Sequence, residues 1–155
     1  MHDSVLVSLS VTVLGAIVGL GTFIKAVIEY RKQGAAKRSD LFLSMRTRLR
    51  EDPSFKNICT LLENDDPKLK DVPLLEKDRF LGFFEELALL RNSGLINEHV
   101  TVYMFGYFAM RCLDSRNFWH GLNREHSLWA AFVDFATEMR SACPGFSYER
   151  RQFYL

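Results

Sequence analysis

Residues 5–24, VLVSLSVTVLGAIVGLGTFI, carry no formal charge, and Lys25 closes the run. A helix over that stretch rises about 1.5 Å per residue and is roughly 30 Å long, the thickness of bilayer hydrocarbon. The run therefore predicts one membrane-spanning helix. A cleaved secretory leader would need a positive start and a small-residue cleavage site, whereas the chain begins Met1-His2-Asp3-Ser4 and has no A-x-A pattern before Lys25. A buried helix of a globular domain seldom holds an uncharged run beyond about 10–14 residues. Lys25, Arg31, Lys32, Lys37 and Arg38 follow the span and only Asp3 precedes it. By the positive-inside rule the C-terminal bulk is expected in the cytoplasm.

Beyond an anchor and stem over residues 1–33, 122 residues remain, the size of one domain with its own core. The sequence divides them into a helical domain over 34–143 and a basic, aromatic tail over 144–155. The net charge of +1 conceals a change of sign along the chain. Residues 25–50 hold Lys25, Arg31, Lys32, Lys37, Arg38, Arg46, Arg48 and Arg50 against Glu29 and Asp40, and the next segment is acidic. Such a basic stem suits anionic lipid headgroups, at about 1 kcal/mol per cation near the surface, and also suits a nucleotide or nucleic acid. Cys59, Cys112 and Cys143 are odd in number and far apart, with apolar neighbours, so they read as core thiols in a reducing compartment. Together with His99, His120 and His126 they lack the spacing of a metal site.

Hydrophobic periodicity makes the fold all-α: one N-terminal transmembrane helix, then a single cytosolic domain of about five or six helices. Gly34-Ala35-Ala36 either flexes or continues the first helix, and Ser39 or Asp40 can cap a new one carrying Leu41, Phe42, Met45 and Leu49. Asp52-Pro53 predicts a stop and restart, and Asn64-Asp65-Asp66-Pro67 a turn. The strongest periodicity runs from about Leu74 to Ser93, with Phe80, Phe83, Phe84, Leu87 and Leu90 on one face and Gly94 as terminator. Asn97 is expected to cap a helix to Asp114, in which Gly106 costs up to about 1 kcal/mol unless a neighbour packs closely on it. A last helix over Ser127–Cys143 turns Trp129, Phe132, Val133, Phe135, Ala136 and Met139 inward.

Within the apolar run Gly15 and Gly19 form a GxxxG, and Ser8, Thr12 and Ala16 a second ridge of small residues. Small faces let membrane helices meet backbone to backbone, so a homo-oligomer is expected, with a monomeric anchor as the alternative. Glu85 and Glu86 are adjacent on a helix and point about 100° apart, so they cannot share one substrate proton. No hydrolase, P-loop or zinc-protease motif is present, and the sequence predicts no enzyme, no cofactor and no metal. Two clusters hold unabsorbed chemistry. The first, around Arg116, His120, Asn123 and Arg124 with Trp119 between them, either stitches helix ends to free carbonyls or forms the rim of a ligand site. The second comprises Arg140 with Tyr148, Arg150, Arg151 and Phe153, where cations alternate with rings. Guanidinium forks grip phosphate and rings stack on bases, and a tail packed on the protein or on lipid accounts for the same residues.

The segment Leu81-Gly82-Phe83-Phe84-Glu85-Glu86-Leu87, with Asn92-Ser93-Gly94-Leu95-Ile96, Tyr103-Met104-Phe105-Gly106-Tyr107 and Phe118-Trp119, resembles a bacterial family of membrane-anchored helical domains of unknown function. Some of its members are thought to be abortive-infection or CRISPR-associated membrane effectors of phage defence. The resemblance implies a single-pass protein of the bacterial inner membrane, with a cytosolic sensor for a cyclic oligoadenylate messenger, no duplex nucleic acid as partner, and a membrane part that responds. The family supplies no catalytic motif, and the tail after Pro144 lies outside the similar region. The second functional class that the sequence admits is a membrane-tethered adaptor recruiting a protein partner.

Overall fold

The computed structural model describes the backbone of residues 2–143 and the side chains of residues 19–143. Ser8, Thr12 and Gly15 of the proposed helix contact, and Tyr148, Arg150, Arg151 and Phe153 of the tail, lie outside the described side chains. Every element is helical, and no strand occurs among the described residues. The chain divides into two compact units, Met1–Lys37 and Arg38–Leu155.

Helix α1 has bounds His2–Glu51, so the expected cap at Ser39 or Asp40 does not start a new helix. Gly34-Ala35-Ala36 is helical, consistent with the high helix propensity of the alanines. In the first unit Leu20, Phe23 and Ile24 are exposed, as are Val27, Ile28 and Tyr30. Gly19 offers an open face, where an added Cβ would meet nothing within 4 Å, and its carbonyl accepts the Thr22 hydroxyl at 2.8 Å. No helix among the described residues is long and apolar enough to cross a membrane. The expected span over 5–24 is thus not supported by these residues, and most of that run belongs to the stretch whose side chains are not described.

The second unit owes its core to phenylalanine. Phe55, Phe80, Phe83, Phe84, Phe105, Phe118, Phe132 and Phe135 are almost wholly buried. Their rings meet edge to face: Phe55 and Phe80 at 5.3 Å, Phe80 and Phe84 at 5.2 Å, Phe83 and Phe84 at 5.1 Å. Such pairs contribute about 0.5–1.5 kcal/mol each beyond simple burial. Three of these rings come from α3 (Leu74–Asn92). It packs on α6 (Ala130–Ala142) through Phe84, which reaches Phe132 and Phe135.

Local signals set the boundaries. Asp52 caps α2 (Pro53–Leu62), its Oδ1 accepting from the amides of Ser54 at 2.9 Å and Phe55 at 3.2 Å, with Pro53 in the first turn. Asp66 caps a 3-10 turn, Pro67–Asp71. Gly94 takes φ +67 just after α3, the left-handed position that glycine adopts without a Cβ clash. Asn97 caps α4 (Glu98–Thr101) through the amides of His99 and Val100. The expected continuous helix to Asp114 is instead interrupted by a π segment, Val102–Gly106, before α5 (Tyr107–Asp114). The expectation for Gly106 holds: a Cβ there would stand 3.1 Å from Cys143 Sγ and 3.4 Å from Met139 Sδ, so its absence lets α6 approach closely. A 3-10 turn, Ser127–Trp129, leads into α6.

Candidate functional site

The loop of residues 115–126, between α5 and the turn at Ser127, has no regular structure, and other elements hold it. Asp65, in the turn after α2 and itself at φ +49, is its main anchor. The Ser115 hydroxyl donates to Asp65 Oδ1, the Asn117 amide reaches the same oxygen at 3.4 Å, and Asn117 Nδ2 donates to the Asp65 carbonyl. Ser115 Oγ in turn accepts the Phe118 amide at 2.9 Å. Trp119 Nε1 donates to the Cys112 carbonyl at 3.0 Å, which pins the indole against the end of α5. Gly121, at φ +83, completes the turn.

Lys77 secures the same loop from α3. It is fully buried, and its Nζ donates to the His120 carbonyl at 3.0 Å while lying 5.8 Å from the centre of the Phe118 ring. Burial lowers its pKa, against the opposing pull of Asp71 and Cys112. A buried ammonium is retained only where it is hydrogen-bonded, and here the bond fixes the backbone at residue 120.

Held in this way, the loop walls an open cavity of about 490 Å³ with Arg116, Trp119, Asn123 and Arg124. Asp114, Ser115 and Glu125 complete the lining. Three of the four residues that the sequence singles out in this loop thus line one cavity. The fourth, His120, contributes its carbonyl to Lys77, and its side chain is exposed without lining the space. Arg140 of α6 forms an ion pair with Asp114, which neutralises one of the two acids of the wall. Arg124 Nη1 leans on the Leu113 carbonyl at 3.4 Å, and Asn123 Oδ1 accepts the Glu125 amide at 3.1 Å. Arg116 has no ion pair or side-chain hydrogen bond among the described residues.

The stitching reading of the cluster is borne out by Arg124. Arg124 stitches a helix end, as does Arg111, which donates to the Glu63 carbonyl at the end of α2. Arg116, unpaired among the described residues, lines the same cavity as the Trp119 indole. The sequence reading missed Lys77, Asp65 and Ser115. Lys77 was detectable, since it shares a face with Phe80, Leu81, Phe84 and Ala88 at helical spacing; Asp65 and Ser115 meet across fifty residues with no local signal.

Glu86 pairs with Arg48 at 2.6 Å, and burial raises the pKa of Glu85. Burial pushes the Cys59 thiol up to about 12, with Glu63 adding to it, and also raises Cys112 and Cys143. No group of three or more metal-ligating side chains occurs among the described residues. Compared with known protein families, with curated proteins and with solved structures, the chain matches none.

Proposed function

We propose that this chain is a membrane-anchored, non-enzymatic effector of antiphage defence whose helical unit binds an anionic nucleotide, of the cyclic oligoadenylate type, in the cavity walled by residues 114–125. The supporting observation is the Arg116 guanidinium, unneutralised among the described residues, beside Trp119 in a space of about 490 Å³. A guanidinium fork matches phosphate oxygens, and an indole offers a surface for a base. The volume falls within the range of ordinary ligand sites, about 300–1,000 Å³. The charge-free run 5–24, followed by exposed Val27 and Ile28, supports the anchor. Messenger identity and defence role rest on the family resemblance, which no comparison extends. The messenger acts on the membrane helices by binding one oligomeric arrangement better than another, since equal affinity shifts nothing.

The test is calorimetry of the full chain in mild detergent against cyclic oligoadenylates of several ring sizes. Binding is expected, and Arg116→Gln should weaken it by roughly ten- to a hundredfold, the loss of one charge-assisted contact. If no ring size binds, the sensor is abandoned for the membrane-tethered adaptor. That second reading is favoured by Leu74 and Leu75, which open α3 with their side chains 53% and 70% exposed.

A further inference from the structure

A second cavity, of about 400 Å³, lies where Arg38 of α1 meets the end of α3 and the start of α4. Arg91, Asn97, Glu98 and His99 line it with Arg38. It has no residue in common with the cavity of the 115–126 loop. Its two guanidinium groups differ in state. Arg91 is rigid: it pairs with Glu138, donates to Asn92 Oδ1 from Nη2 at 3.0 Å and from Nε at 3.3 Å, and stacks 5.3 Å over Phe135. Its Nη1 has no partner among the described residues. Arg38 is half-buried and has no ion pair or side-chain hydrogen bond among the described residues.

The rest of the lining defines the ligand further. Asn97 Oδ1 is spent on capping the amides of His99 and Val100, which leaves its Nδ2 as a donor. Glu98 is exposed and unpaired among the described residues, a pure acceptor facing a cationic wall. Among the described residues no phenylalanine, tyrosine or tryptophan lines the cavity, and the His99 imidazole is the one ring in its wall. We infer that this cavity binds a phosphorylated polyol, with its phosphate on Arg38 and Arg91 and its hydroxyls on Glu98 and Asn97. The same chemistry occurs in a soluble sugar phosphate and in a phosphoinositide headgroup.

The full chain in mild detergent at neutral pH would be titrated with glucose 6-phosphate, glucose and inorganic phosphate. Glucose 6-phosphate should bind, inorganic phosphate more weakly, and glucose not at all. Arg38→Gln should weaken glucose 6-phosphate about tenfold or more. Glu98→Gln should weaken the sugar phosphate relative to inorganic phosphate, whose own binding rises as a nearby negative charge is lost, and Arg116→Gln should alter neither. Repeating the titration in nanodiscs with phosphatidylinositol 4-phosphate separates the sources: competition by the lipid assigns the headgroup, and undiminished binding assigns the soluble ester. Absence of glucose 6-phosphate binding, equal binding by Arg38→Gln, or its loss in Arg116→Gln would overturn the inference.

Discussion

Lys77 shows how one residue joins the core to the site. Its stem is buried in α3, and its ammonium has the His120 carbonyl as its acceptor, so removing it leaves both a cavity and an orphaned acceptor. Lys77→Ala is expected to cost about 2–4 kcal/mol in urea unfolding, and Lys77→Met, which refills the cavity, to recover at least half of that loss. Its lowered pKa has a definite sign. The cost of burying the ammonium is present at pH values below the lowered folded pKa and fades as pH rises toward 10.5, where the unfolded lysine loses its proton too. The thiols act in the opposite sense. Cys59 is raised from 9.0 to about 12, so its contribution to stability is full below pH 9 and is lost as pH climbs through that window. At pH 8, iodoacetamide should label half-buried Cys143 first and reach Cys59 and Cys112 only on unfolding, a sequence that mass spectrometry of timed samples reads directly.

At the scale of elements, what could be read in the sequence was what is local. The phenylalanine face of α3, the Asp52-Pro53 restart, the Asn97 cap and the Gly94 terminator all follow from residues within one or two turns of each other. The π segment at Val102–Gly106 has no such local signal, and its last residue, Gly106, is where α6 approaches closely. The site divides in the same way. Arg116, Asn123 and Arg124 stand close together in the chain and were recognisable as a cluster, whereas the Asp65 and Lys77 contacts that shape their loop cross fifty and forty-three residues. The close approach at Gly106 carries its own test. Gly106→Leu must displace the Cys143 and Met139 side chains, and is expected to lower stability by about 1–3 kcal/mol, measured by urea unfolding of the full chain.

At the scale of the molecule, a charge-free N-terminal run precedes a phenylalanine-cored helical unit with a cavity lined by Arg116 and Arg124. The proposed anchor carries an expectation of its own: the full chain should pellet with membranes and resist extraction by salt, and recovery in the supernatant without detergent would contradict it. The proposed nucleotide would sit against Trp119, where indole fluorescence reports it. Trp119 and Trp129 are the two tryptophans of the chain, so Trp129→Phe leaves the cavity indole as the sole reporter. Titration of that variant with a cyclic oligoadenylate should change Trp119 emission saturably, and the added change Arg116→Gln should shift the midpoint roughly ten- to a hundredfold higher. Binding detected by calorimetry with no change in Trp119 emission, or an unmoved midpoint in the Arg116→Gln background, would contradict the account.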